Sequence, residues 1–421
     1  MKAVLTNFGS TGDVQPFLAL GVELLRHGHT PLLALSPGFG ARARELGLAF
    51  VEVGRDLRAA QDSINRTMVD RGMDPGETAL GGMGALFGPL AEALPEMVDS
   101  LRAACAGADL LVCGRIQFAG RIVHDLTRIP FATVHVEHSG AGGGHPAFRE
   151  AIRAVVNPVR ARFGLPGFEN PLVENDSPQL VLHAQSPHVR VRPSEWPAHQ
   201  HVSGFLFLDE AGWEPAPALV AFLEAGAPPW VVTLGSMPAE DPRALARIFA
   251  EAAAQAGERL VIQRGWAELE KSVDADHVFP VGFVPHDWLL PRAAGVIHHG
   301  GAGTTAASFR AGAPQVVIPH AYDQFLWAER VHELGCGAAP LSRDDSSVER
   351  VSQAMRDAGA SAVRRCAAEL GARVRAEQGA LRARELLQGL VHGVGPEATV
   401  EDALPRRRNL LSEQRSRRTH E

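Results

Sequence analysis

The sequence predicts an α/β protein with two parallel-sheet domains, and three observations carry that prediction. Short, largely apolar runs alternate with helical stretches from the first residues onward. That series occurs twice, on either side of a Pro-rich stretch. The chain has 421 residues, 45% of them hydrophobic, which is enough for two ordinary cores. Apolar runs that lack a polar face suit strands covered by helices on both sides.

The first series opens with the apolar run "KAVLTNF", which "GSTGD" breaks. "VQPFLALGVELLRHG" follows, with Phe17, Leu20, Leu24 and Leu25 at helical spacing and a stop at Gly28. "TPLLALS" reads as a second strand, "PGFGARARELGL" as a short helix and "AFVEVG" as a third strand. The pattern blurs over 55–98, where Gly and Met are frequent, and returns with "DLLVCG" and "FATVHV". "EHSGAGGGHP" (137–146) then reads as a functional loop. The run "HVSGFLFLD" closes the first domain, assigned 1–209. The Pro-rich stretch 210–229 is assigned as linker.

The second series, "WVVTLGS", "RLVIQRG", "HVFPVGFV", "AGVIHHG" and "PQVVIP", lies in a domain assigned 230–392, whose end is Ala/Arg/Leu-rich and helical. Residues 393–421, with "PRRRN" and "RSRR", read as a disordered basic tail. Its contact with an acidic membrane is the alternative.

Composition excludes several classes. A net charge of −7 argues against a nucleic-acid-binding surface. No apolar run is long enough to span a bilayer, and the N-terminus lacks the basic and apolar regions of a signal peptide, so the expected location is cytoplasmic. Cys105, Cys113, Cys336 and Cys366 show no metal spacing and read as reduced, buried small residues.

The densest motif is "HHGGAGTT" (298–305), between an apolar strand and a helix expected from Thr304 to Arg310. Gly312 and Pro314 stop that helix. Gly300, Gly301 and Gly303 remove side chains where a diphosphate could approach, and a helix N-terminus offers free N–H groups and partial positive charge. The alternative is a plain tight turn. In "LGSM", Ser236 either donates to a phosphate or caps a helix. "NFGSTGDVQP" lacks dinucleotide-binding spacing, and its second strand ends in Ser36 without an acidic partner, so NAD binding is not expected. Asp13 either caps a helix starting near Val14 or serves as a general base; Pro16, lacking an N–H, weakens the capping role. The helix N-terminus is expected to lower its pKa. Asp323 and Gln324 offer acceptors and donors suited to sugar hydroxyls, while Trp327 reads as core. Asp274 and Asp276 form a D-x-D string in a charged connector, and His135, His138 and His145 lie at a strand end and in a loop, so no metal site is assigned.

The strings "GSTGDVQPFLALGVELLRHGHT", "SPHVRVRPSEWPAHQHVSGFLF", "WVVTLGSM" and "GFVPHDWLLPRAAGVIHHGGAGTTAASFRAGAPQVVIPHAYDQFLWAERVHELGCG" resemble the GT-B, family-1 nucleotide-sugar glycosyltransferases. The likeness covers 1 to about 392 and is to the bacterial natural-product and sterol-type branch, which includes the glycopeptide-antibiotic enzymes. It implies two Rossmann-like domains facing across a cleft, acceptor on the N-terminal one and nucleotide sugar on the C-terminal one. The last helices of the second domain could pack back on the first. His299 matches the family's diphosphate-binding histidine, Gly301, Gly303 and Thr304 its phosphate contacts, and Ser236 the serine near the phosphates. Phe283 and Val284 fall where the base is stacked and hydrogen-bonded, and Asp323 and Gln324 match the sugar-holding pair. Plant-type and macrolide-type members carry a catalytic histidine where this chain has Asp13; sterol and glycopeptide-type members share the aspartate. Ser10, Thr11, His138 and His298 are assigned to the acceptor or cleft, with His298 alternatively only packing.

The resemblance thus implies an inverting, metal-independent transfer of a hexose from a UDP- or dTDP-sugar, a co-substrate rather than a cofactor, to a hydroxyl of a small apolar natural product. Asp13 is the expected base. The expected partners are the donor and a small-molecule acceptor, without nucleic acid or membrane insertion, in a monomer or homodimer. Alternatives are a sterol or lipid glucosyltransferase, a sugar-nucleotide epimerase of the same fold, and a non-catalytic partner of such transferases.

Overall fold

The computed structural model describes residues 1–55, 83–138, 146–210, 212–235, 241–264, 275–320 and 323–393. Expectations placed on 56–82, 139–145, Ser236, Asp274 and the tail from 394 lie outside those residues.

The first half runs β1 (Lys2–Thr6), α1 (Thr11–Arg26), β2 (Thr30–Leu35), α2 (Gly40–Glu45), β3 (Ala49–Glu52), α3 (Met83–Ala104), β4 (Leu110–Gly114) and α4 (Phe118–Thr127). It continues with β5 (Phe131–His135), α5 (Pro146–Arg162), α6 (Pro171–Glu174), β6 (Leu180–His183) and β7 (Gln200–Val202). These strands lie in the order β3-β2-β1-β4-β5-β6-β7, and every neighbouring pair is parallel.

The second half runs α7 (Pro217–Glu224), β8 (Trp230–Thr233), α8 (Pro242–Ala256), β9 (Leu260–Gln263), β10 (Val278–Val281), α9 (His286–Leu289) and β11 (Gly295–His298). Then come α10 (Ala302–Ala311), β12 (Gln315–Val317), α11 (Gln324–Glu333), α12 (Val348–Ala358), α13 (Ser361–Ala376) and α14 (Gly379–His392). Its parallel sheet has the order β10-β9-β8-β11-β12.

Both orders reverse beside the first strand of the sheet, between β1 and β4 and between β8 and β11. Loops there diverge to opposite faces and leave a crevice at the carboxyl ends of the strands. The loop after β1, which leads into the first turn of α1 with Asp13, and the loop after β11, which carries His299, start at these two points.

Each sheet is covered on both faces. Val4, Leu111, Phe118 and Phe131 pack in one cluster of the first sheet, and Leu5, Phe17, Leu33 and Val112 in the other. The second sheet divides likewise between Trp230, Val232 and Phe249 and Val231, Val261 and Val296. The halves also share apolar packing. Val189 and Phe205 pack with Phe309, Trp327 and Leu370. Helix α14 lays Ala383, Leu386 and Leu387 on the cluster that holds Phe17 and Leu24.

The structure differs locally from the sequence reading. Helix α1 starts at Thr11 rather than near Val14, because Ser10 caps it. Helix α10 starts at Ala302 rather than Thr304, with Gly301 as its N-cap. Gly312 ends it in the left-handed conformation, as its position suggested. The stretch 210–229 contains α7, whose Leu219 is buried against the second sheet. Of 201–209 only the first residues pair in a strand.

Gly379, which opens α14, lies against the main chain of Gly204 and Phe205, and any Cβ there would collide with the Phe205 carbonyl. Overpacking of this kind costs about 1–3 kcal/mol. Gly379→Val is therefore expected to lower the thermal unfolding midpoint by several degrees; an unchanged midpoint would show that α14 does not bear on this contact.

Candidate active site

The N-terminal half supplies a carboxylate held by its own helix end. Ser10 is the N-cap of α1 and Asp13 the third helical residue, forming a reciprocal capping box. The Ser10 main-chain N–H and hydroxyl both donate to Asp13 Oδ2, at 2.7 and 2.8 Å. Asn7 Nδ2 donates to the Asp13 carbonyl at 2.7 Å. The expectation of a lowered Asp13 pKa is corrected here. Burial raises it, the Ser10 bonds offset that in part, and nearby Glu137 adds to the rise. Thr11 beside it is exposed, and Ser10 half-buried.

The C-terminal half supplies the glycine loop. The His299 ring is buried between two glycine main chains: a Cβ on Gly235 would lie 2.7 Å from Cε1, and one on Gly301 would collide with Nε2. No side chain but hydrogen fits at either position without moving the ring. His299 Nδ1 is buried without a hydrogen-bond partner among the described residues. Burial, then the neighbouring His298 and His320, lower its pKa to about 3, so the ring is neutral at physiological pH. Beyond Gly301, the first turn of α10 presents the N–H groups of Ala302, Gly303 and Thr304, which have no partner within the helix. Gly303 has open space beside it, while the Thr305 hydroxyl turns back to the Gly301 carbonyl at 2.9 Å.

His298 does not line the cleft. It is fully buried, Nε2 pairs with Gln315 Oε1 at 2.9 Å, and Nδ1 accepts the Gly300 N–H at 3.1 Å. The assignment to an acceptor pocket is therefore corrected: both ring nitrogens are committed inside the protein.

Phe283 is 69% exposed, an unusual state for so large a ring and one that leaves a face for stacking. Val284 beside it is buried, and its carbonyl accepts from Gln263 Nε2. Gln263 Oε1 pairs with His286 at 3.2 Å, so a polar side-chain pair fixes this turn.

The halves meet at Asp323. Its Oδ2 accepts the indole N–H of Trp327 at 2.9 Å and the main-chain N–H of His138, from the other half, at 3.1 Å. The His138 ring lies 4.9 Å from the Trp327 ring, and its Nδ1 is 3.3 Å from Gln185 Oε1. Glu137 is held by Arg115 at 3.3 Å and by the Gln185 amide on its carbonyl. Burial raises the Asp323 pKa to about 7, and the charges of Glu137 and Asp13 add to the rise. Three carboxylates, from the first turn of α1, the end of β5 and the start of α11, thus feel one another across the cleft. Gln324 is buried, with Oε1 accepting the His320 N–H at 2.8 Å. Asp323 makes no side-chain cap bond to α11.

Sequence reasoning missed Glu137 and the polar use of Trp327. Glu137 opens the quoted "EHSGAGGGHP" string, a usable signal; the indole contact depends on the fold. Among the described residues, no group of three or more His, Cys, Asp or Glu is placed to hold a metal ion, and no helix is long and apolar enough to cross a membrane.

Comparison with known proteins follows the same lines. The family model of the C-terminal domain of erythromycin biosynthesis protein CIII-like proteins matches residues 248–381. The chain is 31% identical over 426 residues to O-mycaminosyltylonolide 6-deoxyallosyltransferase of Streptomyces fradiae, spanning 92% of this chain and 97% of that one. It is 30% identical over 400 residues to a sterol 3-beta-glucosyltransferase of Arabidopsis thaliana. That match spans 85% of this chain but 62% of the relative, so the chain accounts for less than two thirds of the plant protein. Among solved structures, spinosyn rhamnosyltransferase SpnG with spinosyn aglycone superposes with a TM-score of 0.70 at 22% identity, covering 92% of this chain and 100% of that one. SpnG has also been solved with thymidine diphosphate. This structural likeness establishes the GT-B fold.

A carboxyl with a pKa of about 7 is half protonated near neutrality. Carbon NMR of carboxyl-labelled aspartates, with Asp323→Asn for assignment, is expected to show a midpoint near 7 in the ligand-free protein. A midpoint below 5 would contradict the crowding described. Between its unfolded value and about 7 the native Asp323 holds a proton that the unfolded chain releases, so its contribution to stability falls as pH rises through that window.

Proposed function

The chain belongs to the GT-B nucleotide-sugar glycosyltransferases, and from that premise we propose that it moves a hexose from a UDP- or dTDP-sugar to a hydroxyl of a small apolar natural product, with inversion and without a metal. The observation that carries the reading is the hydrogen bond from His138 to Asp323, which sets the Asp13 side of the cleft beside the glycine-loop side.

Asp13 accepts the acceptor's hydroxyl proton through Oδ1, since Oδ2 holds both Ser10 bonds. Its raised pKa makes it a stronger base than an ordinary carboxylate. The acceptor oxygen forms a bond to the anomeric carbon as the bond from that carbon to the diphosphate breaks. The electron pair leaves with the diphosphate. Neutral His299 donates one N–H to it, and the first turn of α10 supplies N–H groups and partial positive charge fixed before the reaction. Ser236 adds a hydroxyl to the same group. Phe283 stacks on the base and the Val284 main chain hydrogen-bonds it. Asp323 and Gln324 hold the sugar hydroxyls, with Asp323 Oδ1 clear of the two N–H groups on Oδ2. Ser10 and Thr11 line the acceptor entrance with His138.

Similarity across nearly all of both chains to a transferase named for tylonolide supports a natural-product acceptor. The similarity to sterol 3-beta-glucosyltransferases favours a second reading, a sterol or lipid acceptor. A panel of UDP- and dTDP-sugars against macrolide, polyketide and sterol acceptors, read by mass spectrometry, separates the two.

Asp13→Asn keeps the Ser10 contacts sterically possible and removes the base. Transfer is expected to fall ~100-fold or more, with UDP or dTDP binding retained. Turnover near that of the wild type would remove Asp13 from the mechanism.

A further inference from the structure

The buried His298 has a geometry that the transfer chemistry does not use. It ends β11 opposite Val317, fully enclosed, and its ring bridges two elements. A main-chain N–H can only donate, so the bond from Gly300 makes Nδ1 the acceptor. The other nitrogen then carries the proton and donates to Gln315 Oε1 on β12. This tautomer is the neutral one, and burial, which lowers the His298 pKa to about 4, keeps it so.

Gly300 makes the sharp turn of the glycine loop. Its φ of +85° lies where L side chains are strained. A Cβ there would stand 2.9 Å from both the Gln324 carbonyl and Val317 Cγ1. Gly300 is therefore wedged between β12 and the start of α11, and its N–H turns inward to His298. On either side of that inward turn lie His299, whose buried ring sits against Gly235 and Gly301, and Gly301, the N-cap of α10.

We infer that His298 is a positioning residue for donor binding, its Nδ1 holding the Gly300 N–H so that the diphosphate loop is formed before the ligand arrives. The inference rests on the glycosyltransferase reading of the loop. Without the acceptor, a buried N–H loses its partner and the loop samples other conformations. The apparent affinity then drops by the fraction of loops that remain competent. Gln315 serves through His298: it fixes the ring and the tautomer, as outer carboxylates and amides do for ligating histidines.

Two near-isosteric substitutions separate the ring's two bonds. Asn at this position can place an amide oxygen where Nδ1 stands, and Gln can place its amide nitrogen where Nε2 stands. The probes are UDP and dTDP, titrated calorimetrically against wild type, His298→Asn and His298→Gln, with thermal midpoints recorded alongside. Asn is expected to bind within a few-fold of wild type, and Gln about tenfold more weakly, irrespective of which variant melts lower. Equal affinities in the two variants, or the reverse order, would overturn the assignment. The second measurement is amide hydrogen exchange of Gly300 in the ligand-free wild type, which is expected to be slow; exchange at the rate of an open loop would overturn it even if neither variant folds. Absence of nucleoside diphosphate binding by the wild type would instead defeat the underlying glycosyltransferase reading.

Discussion

The hydrogen bond from the His138 main chain to Asp323 joins the two sheets at the place where their chemistry must meet. A displacement at an anomeric carbon needs a base and a leaving-group site on opposite sides of one small volume. In the proposed mechanism each half of this chain supplies one of them. Two parallel sheets of like topology each open a crevice at the carboxyl edge, and turning those edges toward each other makes one site from two. The apolar cluster of Val189, Phe205, Phe309 and Trp327 and the return of α14 to the first sheet keep the crevices in register.

The charge arrangement follows from that closeness. Asp13, Glu137 and Asp323 arrive from separate segments, and burial together with the neighbouring carboxylates raises the pKa of both Asp13 and Asp323. The same burial drives His298, His299 and His320 the other way, to about 4, 3 and 4. In the proposed mechanism the diphosphate side would therefore work through neutral N–H donors and a helix terminus, and the acceptor side through Asp13, whose raised pKa suits it to take a proton. Each group's role follows from the cost of keeping a charge away from water.

The fold was legible because most of its strands are buried on both faces and so read as largely apolar runs, as "LLVCG" and "GVIH" do. The glycine loop was legible for a related reason, since only bare main chain could crowd His299 as Gly235 and Gly301 do. What stayed hidden depends on distances between segments far apart in the chain. The pKa of Asp13 is set by enclosure and by Glu137, more than a hundred residues away, so the local argument from the helix end gave the wrong sign. Adjacent histidines look alike in sequence, yet strand alternation turns His298 into the protein and leaves His299 beside the loop glycines. Trp327 packs as the core residue it resembles, and only its indole N–H discloses a second task.

The central claim is that base and leaving group stand on opposite sides of the anomeric carbon, each supplied by its own domain. The most direct measurement is the anomeric configuration of the product, read from the proton coupling constant of the new glycoside against that of the nucleotide-sugar donor. A single displacement across the cleft predicts the opposite configuration. A product that retains the donor's configuration would contradict the account.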